Sequence, residues 1–186
     1  TTIIMRPLNV PTKKEVTDQN RQIFDQLESN LGFIPNIYAT YAHSTNGLAR
    51  YMEFANGKTS LNNKEKEVIN LAVSEINGCS YCLAAHTQLG KMNGFTEEQT
   101  LELRQGKASF NDKFDALAGL AREIIENRGN ISDATLQNFF DAGYSKENLI
   151  DLIINVGEKS ITNFLHNITE IPIDFPEAPE LKTAIV

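Results

Sequence analysis

The chain has little of several things, and each shortage narrows what it can be. Its 186 residues include two cysteines, too few for the disulfide framework that holds small secreted domains together. No apolar run approaches the ~18 residues of a membrane-spanning helix. Positive charge is in deficit: 17 Lys and Arg stand against 24 Asp and Glu, for a net charge of −7 and a pI of about 5.0. That sign disfavours a nucleic-acid partner and implies a solvated acidic exterior. The first residues, Thr1 to Pro11, lack the basic start and continuous apolar stretch of a secretory leader. Strand alternation of useful length, low-complexity segments and linkers are also missing. The expectation is a cytoplasmic protein without membrane contact, its thiols in a reducing compartment.

Helical periodicity fills most of what remains. Val16, Ile23, Phe24, Leu27 and Leu31 recur on one face, and Gly32 stops that helix. Ile37, Tyr38 and Tyr41 form a short helix after Pro35, and Ser44 or Thr45 caps another through Leu48, Tyr51, Met52 and Ala55. Asn62 and Glu65 have capping-box spacing and open a helix through Ile76, which Asn77-Gly78 breaks. The next helix runs to Asn93-Gly94, and Thr96 with Gln99 caps a short one. A long amphipathic helix carries Phe110, Phe114, Leu117, Ala118, Ala121, Ile124 and Ile125 as far as Arg128-Gly129. Ser132 and Ser145 are N-caps. The last helix, Leu149 to about Ile168, is apolar around much of its circumference and is expected at the centre. After it, Ile171, Ile173 and Phe175 would share one side of a proline-stiffened extended tail, laid over the body or over a neighbour. Length and pattern together predict one all-α domain over 1–186, with a motif core at 62–94, C-terminal helices over 110–169 and a tail over 170–186.

Both cysteines fall in one window, Cys79-Ser80-Tyr81-Cys82-Leu83-Ala84-Ala85-His86. Stapling is a poor reason for that spacing, because closing so short a loop restricts the unfolded chain by only about 2 kcal/mol against nearly 5 for a hundred-residue loop. Redox or metal chemistry is the better reading. With Asn77-Gly78 ending one helix, the pair occupies the first turn of the next, where free N–H groups and the dipole favour a thiolate. Three residues of helix rise only ~4.5 Å, so the sulfurs can meet. His86 is four residues beyond Cys82, on the same face, where a neutral imidazole can take a thiol proton. A carboxylate to orient it could be Glu67 or Glu75, and spacing does not choose between them. Nor does spacing choose the nucleophile: the dipole favours Cys79, the histidine Cys82.

The pattern Glu67-x11-Cys79-x2-Cys82-x3-His86 resembles the signature of the alkylhydroperoxidase D-like branch of the carboxymuconolactone decarboxylase superfamily. The similarity extends over Asn63–Ser74 and Asn77–His86, the stretch from Phe114 to Arg128-Gly129, Ala142-Gly143-Tyr144-Ser145 and the Ile171–Pro176 ending, which look like its longer peroxidase-related members. That resemblance implies a helical bundle of the alkylhydroperoxidase D-like type and a thiol-dependent hydroperoxidase of peroxiredoxin type. It also implies the roles: Cys82 attacks, Cys79 resolves, His86 accepts the thiol proton and Glu67 assists. The implied partners are a hydroperoxide, an external dithiol reductant and further copies of the chain in a homo-oligomer, with no cofactor and no metal. One position departs from the pattern. The best-known peroxidase of the family has a second histidine just before its peroxidatic cysteine, and here Tyr81 stands there. A phenol donates a hydrogen bond but is a poor base at neutral pH, which gives Tyr81 a supporting part only. The family's true decarboxylases lack the cysteine pair, which argues for redox chemistry.

The competing class is a thiol–disulfide exchange or metal-holding regulatory module without peroxide turnover. In the metal version Cys79, Cys82 and His86 would be joined by His43 or His166. His43, at the end of a short helix, reads more simply as a cap or packing residue. His166, near a helix C-terminus, carries no catalytic role.

Overall fold

In a computed structural model the described residues are 8–181, and they form nine α-helices and no strand. The leader reading rests partly on residues 1–7 and the tail reading partly on 182–186, all outside the described residues. The helices are α1 (Asp18–Leu31), α2 (Asn36–Tyr41), α3 (Gly47–Ala55), α4 (Asn63–Ile76), α5 (Ser80–Met92), α6 (Glu97–Arg104), α7 (Asp112–Glu126), α8 (Asp133–Asp141) and α9 (Lys146–Thr169). The chain divides into two compact units. One comprises the residues up to Lys58 with Leu165–Asp174, the other Thr59–Phe164 with Phe175 onward.

Caps set most of the boundaries. The box at Asn62 and Glu65 is formed in both directions, as is the one at Thr96 and Gln99. Thr17 and Asn111 accept the N–H groups of Asn20 and Phe114 and cap α1 and α7, so Val16 and Phe110, expected inside those helices, sit just before them. The start of α3 also differs from the expectation. Its N-cap is Asn46, without a side-chain bond, while Ser44 Oγ accepts the Gly47 N–H at 3.0 Å.

In the first unit Phe24, Leu48, Val16, Ala39 and Ala42 form a small core. Asn20, fully buried, donates its amide to the Ala42 and Ser44 carbonyls at 3.2 and 3.1 Å. Here too the tail lies on its own chain: Ile171 is buried, Asp174 Oδ2 accepts the Asn36 N–H at 2.7 Å, and Asn36 donates its side-chain amide to the Pro172 carbonyl.

In the second unit the central helix is α4. Val68–Val73 and Ser74 are all buried, and α4 packs against α5, α6 and α7. Fully burying side chains such as Val68, Ile69, Leu71 and Val73 is worth about 1.5–3 kcal/mol each. The expectation that the last helix is central is therefore corrected. α9 buries Leu152 and Val156 on one face and leaves an apolar face exposed. No helix among the described residues is long and apolar enough to cross a membrane.

Candidate active site

The redox turn is placed by the way α4 ends. Gly78 adopts φ +64°, its N–H donates to the Glu75 carbonyl, and the Cys79 N–H donates to the Ser74 carbonyl, both at 3.0 Å. That is a Schellman closure, and its left-handed residue falls where glycine carries no Cβ penalty. Cys79 thus leaves α4 and at once becomes the N-cap of α5, its Sγ accepting the Cys82 N–H at 3.2 Å. Cys79 and Cys82 are joined as a disulfide with Cα atoms 5.3 Å apart, and both are buried.

One turn beyond Cys82, His86 is buried and its Nδ1–H donates to Glu67 Oε2 at 2.7 Å. A neutral imidazole that donates through Nδ1 presents Nε2 as its acceptor, the form needed to take a proton from a thiol. The other carboxylate oxygen, Glu67 Oε1, accepts from Asn70 Nδ2 at 3.4 Å. Asn70 is fixed in turn, since its Oδ1 accepts from Asn155 Nδ2 of α9 at 2.8 Å. Asn155 thus gives to Asn70 and Asn70 gives to Glu67, and Asn70 Nδ2 also lies 3.4 Å from His86 Nδ1.

The two glutamates left open by spacing have separate partners. Glu75 accepts from Arg104 Nε at 2.7 Å, and Arg104 also donates to the Pro179 carbonyl. α9 supports the other end of the turn as well, where Asn163 donates to Ser74 Oγ at 3.1 Å and accepts from Asn77 at 2.9 Å. Tyr81, buried between the two cysteines in sequence, meets Phe175 of the tail edge to face at 5.7 Å.

Asn70 and Asn155 were not singled out in the sequence. Asn70 had a signal available, lying three residues after Glu67 on one helix face. Asn155, 85 residues from Asn70, had none. The histidines weighed as further metal ligands belong to the first unit. His43 Nε2 lies 2.7 Å from the Asn9 carbonyl, and His166 is buried, which pushes its pKa below the ordinary imidazole value. Among the described residues no three His, Cys, Asp or Glu side chains are grouped to hold a metal ion.

A cysteine pair at a helix start, backed by a buried histidine–carboxylate bond in an all-helical fold, defines a class of thiol-based helical proteins. The carboxymuconolactone decarboxylase family profile matches residues 44–123. An alkyl hydroperoxide reductase AhpD from Mycobacteroides abscessus is 41% identical over 46 residues, 25% of this chain and 26% of that protein. The match thus spans about a quarter of that relative's length. An uncharacterised peroxidase-related protein from Ralstonia eutropha, described as an alkylhydroperoxidase AhpD core, superposes with a TM-score of 0.82 at 19% identity, over 93% of this chain and 94% of that one. A debrominase shares the fold at a TM-score of 0.73 and 17% identity, over 93% of each chain. Residues 44–123 thus resemble the carboxymuconolactone decarboxylase family, and the fold is the one seen in the alkylhydroperoxidase AhpD core protein.

Proposed function

We propose that the protein is a thiol-dependent hydroperoxidase in which Cys82 is the peroxidatic cysteine and Cys79 the resolving one. The single observation that carries this reading is the buried His86–Glu67 bond at 2.7 Å, one turn along α5 from Cys82. It supports a base with a set tautomer beside a thiol at a helix N-terminus.

The cycle balances as follows. His86 Nε2 takes the Cys82 proton, and the thiolate attacks one peroxide oxygen. The O–O bond breaks, the alcohol leaves with a proton returned from His86, and Cys82 becomes a sulfenic acid. Cys79 displaces water from it to form the disulfide. An external dithiol then reduces the pair and is itself oxidised to a disulfide. Glu67 holds the imidazole and stabilises its protonated form, with Asn70 and Asn155 as positioning residues. Tyr81 shapes the wall beside Cys82 and does not replace a base.

Both cysteines are buried, so the reductant needs a local opening to reach the disulfide. A reducing compartment and assembly with further copies of the chain belong to the same reading. A thiol–disulfide exchange or metal-holding module remains the rival. Peroxide consumption by the purified protein, with a dithiol donor and either hydrogen peroxide or an organic hydroperoxide, separates the two. Catalytic consumption that disappears in Cys82→Ser supports the proposal. Disulfide exchange with donors and no consumption of either peroxide overturns it. A brominated aromatic belongs in the same assay as a control substrate, because fold does not fix chemistry.

A further inference from the structure

Between Ile150 and Phe164 every exposed position of α9 is isoleucine, glycine or phenylalanine: Ile150, Ile153, Ile154, Gly157, Ile161 and Phe164. The five large side chains are 46–57% exposed. The charges in the same stretch are turned elsewhere. Asp151 accepts the Ser60 N–H at 2.6 Å, and the Glu158 and Lys159 side chains are only 14% and 6% exposed. A solvated helix face carries polar residues, and this one carries none.

Three features select the occupant. Ile150, Ile154, Gly157, Ile161 and Phe164 follow one another at intervals of four, three, four and three, the a/d repeat of a helix–helix seam. Gly157 lies in mid-helix, where it costs about 1 kcal/mol relative to alanine, and a Cβ there would meet nothing within 4 Å. Nothing among the described residues therefore uses the missing side chain, and the gap is open to an outside knob. Finally, the seam is complementary to itself when reversed. With a two-fold axis beside Lys159, Gly157 faces Ile161 of the second helix and Ile154 faces its Phe164, so small meets large at the centre. An isologous interface requires that self-complementarity.

The five side chains expose on the order of 500 Å² per chain, high in the range for the largest apolar patch of an ordinary monomer. Two copies would together bury roughly 1,000 Å², the lower bound for a specific interface. A lipid surface fits less well. Interfacial helices flank their apolar face with Lys and Arg, whereas the exposed residues of this stretch include neither and the chain carries a net charge of −7.

We propose that this face of α9 binds the same face of a second copy, antiparallel, with Ile161 of each filling the space over Gly157 of the other. Light scattering across a dilution series tests it. The wild-type mass should be twice 20.7 kDa, or a higher even multiple of it. Ile161→Glu should raise the dissociation constant of the α9 pair by about 100-fold or more, since a charge would be buried unpaired. Circular dichroism and melting temperature should stay near wild type, because residue 161 is 46% exposed in the single chain. Phe164→Glu is the second variant, should the first misfold. Cross-linking fixes the direction: copies bearing Gly157→Cys should join copies bearing Ile161→Cys under mild oxidation faster than either joins itself. A monomeric wild type at every concentration, an assembly untouched by both charge variants, or Gly157→Cys joining itself fastest would overturn the proposal. So would a monomer that binds anionic vesicles through this face. The readout is mass and not turnover, so a failed peroxidase assay leaves it standing.

Discussion

Replacing Glu67 with glutamine tests whether the buried histidine is held for proton transfer or merely packed. Glu67→Gln keeps size and shape but converts one of two acceptors into a donor. Oriented with its oxygen toward His86, the new amide keeps the 2.7 Å bond from Nδ1–H and turns its NH₂ against Asn70 Nδ2, 3.4 Å away. Asn70 cannot rotate cheaply, because its oxygen already accepts from Asn155 at 2.8 Å. The mismatch leaves one buried amide donor unsatisfied, a cost of about 1–3 kcal/mol. Oriented the other way, the amide donates to His86 Nδ1, which forces the imidazole proton onto Nε2 and removes the acceptor from the thiol side. Either orientation also removes the negative charge that stabilises the imidazolium. Thiol oxidation by peroxide should therefore slow by roughly 10²-fold or more, the usual scale for losing general acid–base help. The chain contains no tryptophan, so the reaction is followed by acid quench and mass spectrometry of the thiols. Adding Asn70→Asp supplies an acceptor for the glutamine NH₂ and should recover melting temperature, and because Asn70 Nδ2 lies 3.4 Å from His86 Nδ1 the new carboxylate should also return part of the rate. Normal oxidation in Glu67→Gln would refute the relay.

Two further outcomes follow from the frame around the site. Gly78→Ala puts a Cβ on a residue at φ +64° with open space around it, so the cost is conformational, about 1–2 kcal/mol, and differential scanning calorimetry should show a melting temperature lower by roughly 2–8 °C. His166 has a folded-state pKa lowered by burial, so the unfolded chain binds the proton more tightly. Its neutral form then stabilises the fold above the unfolded value of ~6.5, and that stability is lost as pH falls through 6.5 toward the lower folded value. Melting temperature should consequently drop more between pH 7.5 and 5.5 in wild type than in His166→Gln, and equal drops would contradict the assignment.

Local chemistry was legible in the sequence wherever a side chain answers its own backbone. The boxes at Asn62 and Thr96 and the stop at Asn77-Gly78 announce α4, α5 and α6 because each cap bonds groups three residues away. The same locality explains why Val16 and Phe110 were placed inside helices: hydrophobic spacing continues through a cap, while the backbone does not. What could not be read was partnership across long separations. Apolar periodicity on α9 looked like burial because sequence does not distinguish a face covered by its own chain from one left exposed, and the buried centre went to α4. Within the site, the Cys79–Cys82 turn and the shared face of His86 follow from spacing. Spacing left Glu67 and Glu75 open and the resemblance named Glu67; in the fold Glu67 bonds His86 and Glu75 bonds Arg104. Asn155 reaches Asn70 across 85 residues and leaves no mark in either local pattern.

The central claim, that Cys82 attacks and Cys79 resolves, is tested most directly by trapping the first oxidised sulfur. Reduced wild type and the two single variants are mixed with one equivalent of an organic hydroperoxide, quenched with a sulfenic-acid probe and mapped by mass spectrometry. The account predicts a disulfide in wild type, a probe adduct on Cys82 in Cys79→Ser at a near wild-type rate, and little reaction in Cys82→Ser. An adduct on Cys79 of Cys82→Ser formed at the wild-type rate would contradict it.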